Sequence, residues 1–88
     1  MRVFVVYKYD SEHARSVIDY IRDMKHQTGY DLEEIDPDTR EGASICRTYD
    51  IVEYPSIVAT SRDGALQTMW RGLPLPTISE VSYYASIE

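Results

Sequence analysis

The sequence has few of the residues on which small metal-binding or disulfide-stabilised proteins depend. Cys46 is the one cysteine among 88 residues, so no disulfide can form within the chain. The two histidines have no cysteine partners at ligand spacing, and we expect neither a metal site nor a cofactor. A lone cysteine is typical of a reducing compartment, and we expect a cytoplasmic protein.

Basic residues and long apolar runs are also scarce. Nine lysines and arginines stand against fifteen aspartates and glutamates, which gives a formal net charge of −6. Nucleic acid is therefore not an expected partner, because a surface that binds phosphates has to be basic. No apolar run approaches the length of a membrane span, and the first one, Val3 to Tyr7, is too short for a signal peptide. We expect no membrane association.

What the sequence does have is the composition of one small folded unit. Hydrophobic residues make up 43% of the chain and charged residues 27%, as in ordinary globular proteins. No repeat, low-complexity segment or linker divides the sequence, so we expect a single domain over residues 1–88. Eight tyrosines stand against one phenylalanine, and tyrosine is enriched at recognition surfaces.

The chain begins with a strand pattern followed by a helix pattern. Val3 to Tyr7 is a β-branched and aromatic run, typical of a strand that is covered on both faces. The next segment predicts a helix that is capped by Asp10 or Ser11, with Glu12 in its first turn. The apolar positions of this helix recur at helical spacing and should face inward: Ala14, Val17, Ile18, Ile21 and Met24.

A second strand and a second helix follow. Gly29 can end the first helix, and the segment Tyr30 to Ile35 predicts a short strand. Asp36-Pro37 predicts a helix start, with aspartate as the N-cap and proline at the first helical position. That helix should run to about Asp50, and Gly42 should weaken it by about 1 kcal/mol relative to alanine. Its expected inner face consists of Ala43, Ile45, Cys46 and Tyr49.

The second half of the chain predicts a hairpin and a last helix. Pro55 precedes a strand at Ser56 to Thr60, and Asp63-Gly64 is a turn signal. Leu66 to Arg71 then pairs back, and Thr77-x-x-Glu80 is a capping-box pattern that opens the last helix. The order is β-α-β-α-β-β-α, which predicts an α/β fold with a four-stranded mixed sheet and helices on both faces.

One segment resembles a known family. Tyr49-Asp50-Ile51-Val52-Glu53-Tyr54-Pro55-Ser56 is similar to the Tyr-Gly-Ile/Val-x-x-(Ile/Val)-Pro-Thr signature of thioredoxins. Asp63-Gly64 matches the family's hairpin glycine, and Gly72 falls where the family has a glycine beside its active site. The similarity covers essentially the whole chain and implies a thioredoxin-like fold. It also implies a cis bond before Pro55 and free backbone groups at Tyr54, which in the family pair with an extended substrate peptide.

The catalytic thiols of that family are absent. The four positions of its Cys-x-x-Cys motif correspond to Ser11-Glu12-His13-Ala14, and Val5 replaces the buried acid of thioredoxins. A serine hydroxyl does not exchange with disulfides, so we expect a redox-inactive protein that is not an enzyme. We expect the His13 side chain to be solvated, because no third group is available to orient it.

Two classes of function remain. The first is a module, monomeric or weakly dimeric, that binds a peptide or a protein. Its expected contact residues lie on the old active-site face: Tyr9, Asp10, Ser11, Glu12, His13, Tyr54, Pro55 and Gly72. The second is an oxidoreductase that acts through Cys46 or a partner's thiol, although we expect Cys46 to be buried as a small hydrophobe. Clock proteins of the KaiB type, which share this fold and lack the cysteine pair, are a lower-ranked alternative.

Overall fold

The computed structural model describes residues 1–87, which form four strands and three helices. They follow one another in the predicted order, β-α-β-α-β-β-α. The elements are β1 Arg2–Val6, α1 Ala14–Thr28, β2 Glu33–Ile35, α2 Arg40–Tyr49, β3 Ser56–Thr60, β4 Leu66–Arg71 and α3 Ile78–Ala85. No helix within residues 1–87 is long and apolar enough to cross a membrane.

The four strands form one mixed sheet in the order β2-β1-β3-β4. β1 and β2 are parallel and are joined through α1, which is the predicted β-α-β unit. β3 runs antiparallel to both β1 and β4. The connection from β3 to β4 passes through Gly64, whose φ of 91° lies in the left-handed region that glycine adopts without strain.

The central strands β1 and β3 supply apolar side chains to both faces of the sheet. Residues 3–6 of β1 are at most 1% exposed. Successive side chains of a strand point to opposite faces. Val3 and Val5 therefore pack with residues of α1 and α3, whereas Phe4 and Val6 pack with residues of α2. The expected helices on both faces of the sheet are thus confirmed.

The predicted start of α1 is wrong by about three residues. The N-cap residue is His13, and no side chain accepts a capping hydrogen bond there. Ser11 is unavailable as a cap because its hydroxyl donates to the carbonyl O of Lys8 at 2.6 Å. Glu12 consequently lies before the helix, whose first turn contains no acidic residue. Ile18, which was expected to face inward, is 50% exposed.

The predicted start of α2 at Asp36-Pro37 is also too early. Thr39 is the N-cap, and its Oγ1 accepts a hydrogen bond from the backbone N–H of Gly42 at 3.0 Å. Asp36 instead forms a turn, in which its Oδ1 accepts from the backbone N–H of Asp38 at 2.9 Å. Aspartate side chains readily form such local bonds, which compete with helix capping.

Gly42 is needed by the fold, contrary to its expected role as a weak point of α2. It is buried, and a Cβ atom at this position would lie 1.8 Å from the carbonyl O of Asp36. Only a residue without a side chain lets α2 pack this closely on the turn that precedes it.

The other predicted helix ends agree with the structure. Gly29 ends α1 with a φ of 77°, and its N–H donates to the carbonyl O of Lys25 at 2.8 Å. Thr77 and Glu80 form the capping box that opens α3. Further along this helix, the Tyr84 ring meets the half-buried Trp70 ring of β4 edge-on, with centroids 5.4 Å apart.

Replacing Gly42 by alanine should destabilise the protein. Helix propensity alone predicts a gain of about 1 kcal/mol. The overlap with the Asp36 carbonyl should outweigh it and lower the free energy of unfolding by about 1–3 kcal/mol. Urea denaturation followed by circular dichroism measures this change. Ser44→Ala, at an exposed position of the same helix, is the control and should change stability little. A more stable Gly42→Ala protein would contradict the close contact.

Candidate functional site

Three loops meet at one edge of the sheet. The carboxyl end of β1, the amino end of β3 and the carboxyl end of β4 lie together there because β3 is antiparallel to both neighbours. We call the surface that these loops form the Tyr54 face and define it as residues 8–13, residues 53–55 and Gly72. It contains all the residues that the sequence analysis assigned to partner binding.

The Tyr54–Pro55 segment is held against Gly72. The bond between Tyr54 and Pro55 is cis, as the resemblance implied. The carbonyl O of Pro55 accepts a hydrogen bond from the backbone N–H of Gly72 at 2.8 Å. Gly72 has a φ of 71°, which favours glycine at this position.

Tyr54 has free backbone groups, as expected. Among residues 1–87, no hydrogen bond involves its backbone N–H or its carbonyl O. The backbone of the preceding residue is already hydrogen-bonded, because the carbonyl O of Glu53 accepts a hydrogen bond from the Ser56 hydroxyl at 2.7 Å. An incoming strand would therefore find one donor and one acceptor at Tyr54 that the fold does not use.

The Tyr54 side chain connects the face to α2. It is half-buried, and its hydroxyl donates to Sγ of Cys46 at 3.9 Å. Burial is the main cause that raises the pKa of Tyr54, and the hydrogen bond to Cys46 adds to it. On the other side of the ring, the Lys8 ammonium lies 5.6 Å from the ring centroid, within the range of a cation–π interaction.

Sequence analysis missed Lys8. Its ammonium lies 3.9 Å from Oδ1 of Asp38 and so joins the loop after β1 to the loop after β2. The available signal was weak: Lys8 is the only lysine or arginine between Val3 and Ala14, directly after the first strand. Its contact with Tyr54 depends on the distant pairing of β1 with β3, which local sequence does not encode.

Of the tyrosines at this edge, Tyr9 is the accessible one in the loop after β1. Tyr7 is only 3% exposed, and its hydroxyl donates to Oε1 of Glu34 at 2.5 Å. Burial, followed by this hydrogen bond, raises the pKa of Tyr7. Tyr9 is 49% exposed and packs on the Tyr7 ring, with centroids 4.9 Å apart. A partner can therefore reach Tyr9 but not Tyr7.

The His13 side chain is not simply solvated, so that prediction is wrong. It is half-buried, and its Nε2 accepts a hydrogen bond from the backbone N–H of Lys8 at 3.2 Å. Its ring also lies edge-on to Tyr7, with centroids 6.4 Å apart. This histidine shapes the loop after β1, and its bond to Lys8 leaves Nε2 unavailable as a general base.

The remaining predicted residues of this loop differ in accessibility. Asp10 and Glu12 are exposed, and no ion pair among residues 1–87 includes either of them. Ser11 is half-buried, and its carbonyl O accepts from the backbone N–H of Ala14 at 3.3 Å. The backbone N–H of Ala14, at the start of α1, is therefore already used within the fold.

Cys46 is half-buried rather than buried, which corrects the sequence-based expectation. It lies in α2 and packs at the edge of the core formed by Phe4, Val6 and Val58. Its Sγ accepts the hydrogen bond from the Tyr54 hydroxyl, so the thiol lies beneath the Tyr54 face.

A separate cavity of about 480 Å³ lies between the end of α1 and α3. Its lining residues are Thr28, Gly29, Tyr30, Ser79, Ser82, Tyr83, Ala85 and Ser86. None of the predicted contact residues is among them, because the Tyr54 face lies at the opposite end of α1.

Comparison with known proteins identifies the fold. The sequence matches no protein-family model and no curated protein. The structure is similar to that of thioredoxin 1 from the thermophilic eubacterium Thermosipho africanus TCF52B, with a TM-score of 0.65 and 15% sequence identity. The match covers 97% of this chain and 90% of that one. The chain therefore has a thioredoxin-like fold, and with its single cysteine it has no Cys-x-x-Cys pair.

Proposed function

We propose that this protein binds an extended peptide segment of a partner at the Tyr54 face and catalyses no thiol–disulfide exchange. The observation that carries the proposal is the pair of unused backbone groups at Tyr54. An extended peptide that adds beside Tyr54 would satisfy both groups, as in other cases of strand addition to an exposed edge. A reducing, cytoplasmic setting is part of the proposal, since the lone cysteine has no disulfide partner in the chain.

The surroundings of Tyr54 suit the side chains of such a peptide. Tyr9 offers an exposed aromatic ring in the loop after β1. Leu73, which follows Gly72, is 57% exposed. Affinity should be modest, because the contact surface is small and ordering an extended peptide costs conformational entropy.

The chemistry of the face argues against catalysis by thiols. Ser11 and Ala14 stand at the two cysteine positions of the resembled family, and neither side chain forms a thiolate. Val5 is 1% exposed and offers no proton acceptor in the core behind them. A nucleophile, a resolving thiol and an internal base would all have to come from elsewhere.

One observation favours a second candidate function. Cys46 is half-buried and contacts Tyr54, so a thiol lies at the rear of the same face. An oxidoreductase that works through Cys46 and a thiol of its partner is the alternative. Cys46 lies in α2 and not at the start of a helix, where the helix dipole would stabilise a thiolate.

The two candidates differ in an insulin-reduction assay with dithiothreitol. We expect no acceleration above the uncatalysed rate, because the positions of the catalytic thiols are occupied by Ser11 and Ala14. The Cys46→Ala variant should behave identically. Acceleration by the natural sequence that is lost in Cys46→Ala would transfer the function to the second candidate.

Cys46 itself should react slowly in the folded protein. A thiol-specific reagent is expected to modify it several-fold more slowly in buffer than in denaturant, because the side chain is half-buried beneath Tyr54. The rate in denaturant is the internal reference. Equal rates in the two solutions would show an open thiol and would count in favour of the oxidoreductase.

Peptide binding is tested by chemical-shift mapping with a pool of random-sequence, end-blocked hexapeptides. The amide signals of residues 11–13, Tyr54 and Gly72 should shift together, because they lie on one face. A Tyr54→Ala variant should weaken the response about tenfold, since it removes the ring that supports the bound strand. Tyr83→Ala, at a 63% exposed position of α3, is the matched control and should respond as the natural sequence does.

Shifts confined to α3 or to the outer edge of β4 would show that the Tyr54 face is not the working surface.

A further inference from the structure

The edge of the sheet that carries the Tyr54 face is strongly acidic. β2 is parallel to β1, so the loop after β2 reaches the same edge as the loop after β1. This loop contributes Asp36 and Asp38, and Glu34 precedes it in β2. Glu53 adds a fourth carboxylate directly beside Tyr54.

Contacts and electrostatic effects connect three of these carboxylates to the Tyr54 face. Asp38 lies 3.9 Å from the Lys8 ammonium, which in turn lies over the Tyr54 ring. Glu34 accepts the hydrogen bond from Tyr7. The negative charges of Glu34 and Asp36 add to burial in raising the pKa of the exposed Tyr9. Their field therefore reaches the part of the face that a partner can touch.

Glu53 directly precedes Tyr54 in the chain and lies close to Gly72. One of its carboxylate oxygens, Oε2, lies 2.9 Å from the point that a Cβ atom of residue 72 would occupy. Arg71 is the neighbouring cation in the sequence, but among residues 1–87 no ion pair includes Glu53 or Arg71. Tyr54 therefore has one carboxylate, Glu53, next to it in the chain and another, Asp38, linked to its ring through Lys8.

These charges are poorly compensated within the fold. The ion pairs among residues 1–87 leave out Glu34, Asp36 and Glu53. Lys8 is the one cation that contacts this group of carboxylates within the described chain, through Asp38. An extended peptide that adds beside Tyr54 would enter a negative field, which attracts cations and repels acidic segments.

We propose that the Tyr54 face selects extended peptides with lysine or arginine side chains on both sides of the residue that pairs with Tyr54. The inference rests on the proposed peptide-binding function and adds the chemical class of its partner. Side chains that share one face of an extended peptide are about 7 Å apart. Two basic side chains at that spacing can straddle Tyr54, one toward Asp36 and one toward Glu53.

The experiment compares three end-blocked peptides of one β-branched sequence that differ at two alternate positions. One peptide has lysine at both positions, one has glutamine and one has glutamate. By titration at low ionic strength, the lysine peptide should bind about tenfold more tightly than the glutamine peptide, and the glutamate peptide should not bind measurably. The preference should shrink at high salt, since exposed charges are screened beyond a few ångströms there.

Two variants locate the source of the preference. Asp36→Asn keeps the oxygen that accepts from Asp38, and Glu53→Gln keeps the size of the side chain, so both should fold normally. Each should reduce the preference for lysine several-fold. Asp31→Asn removes the same charge beyond the far end of α1 and is the matched control, which should keep the full preference.

The outcomes separate the inference from the function on which it rests. Equal binding of all three peptides, with shifts at Tyr54 and Gly72, would overturn the basic preference and leave peptide binding in place. If the preference for lysine persists in Asp36→Asn and Glu53→Gln, it is caused by the net charge of the whole protein. That result would also overturn selection by the Tyr54 face. Binding of none of the peptides would overturn both. A preference lost in these two variants and kept in Asp31→Asn supports the inference.

Discussion

The burial of residues 3–6 of β1 and of all of β3 is the constraint on which this structure depends. Every residue from Val3 to Val6 and from Ser56 to Thr60 is at most 1% exposed. Strands with apolar side chains on both faces cannot leave either face in water, so helices must cover both. One core then forms with α1 and α3 and the other with α2. The two cores hold the central strands in place, which fixes the points from which the loops at their ends begin.

The same constraint gathers the candidate site. β1, β2 and β4 end at the edge where β3 begins, so four loops meet over a short stretch of sheet. Lys8, Tyr54 and Gly72 are far apart in sequence, yet short contacts connect them through Pro55. Loops on a rigid scaffold are where binding residues are commonly found.

Sequence patterns predicted the two central strands better than the starts of α1 and α2, because local hydrogen bonds of side chains compete with helix capping. The apolar run that begins at Val3 and the segment after Pro55 have few alternative local structures to a strand. At the start of α1, by contrast, Asp10 and Ser11 both have capping side chains, and the Ser11 hydroxyl bonds to Lys8 instead. At the start of α2, the N-cap residue is Thr39 and not the predicted Asp36.

The residues that sequence analysis misjudged or missed depend on contacts that only the folded chain makes. Gly42 looked like a helix defect because the carbonyl of Asp36, which a side chain would strike, is brought there only by the folded turn. Lys8 could not be recognised because its partners, Asp38 and Tyr54, come from two other loops. The resemblance to thioredoxins implied the cis bond before Pro55, which the structure has, because Pro55 lies within a linear signature.

The edge-on contact between Trp70 and Tyr84 has a practical consequence. Trp70 is the only tryptophan, and its half-buried ring lies against α3, where the Tyr83 ring in turn meets the Tyr84 ring edge-on with centroids 5.3 Å apart. Its fluorescence therefore reports on the docking of α3 against the sheet, and neighbouring tyrosines can transfer excitation to it. The protein carries its own optical probe of folding, built into one core and separated by the sheet from α2 and Cys46.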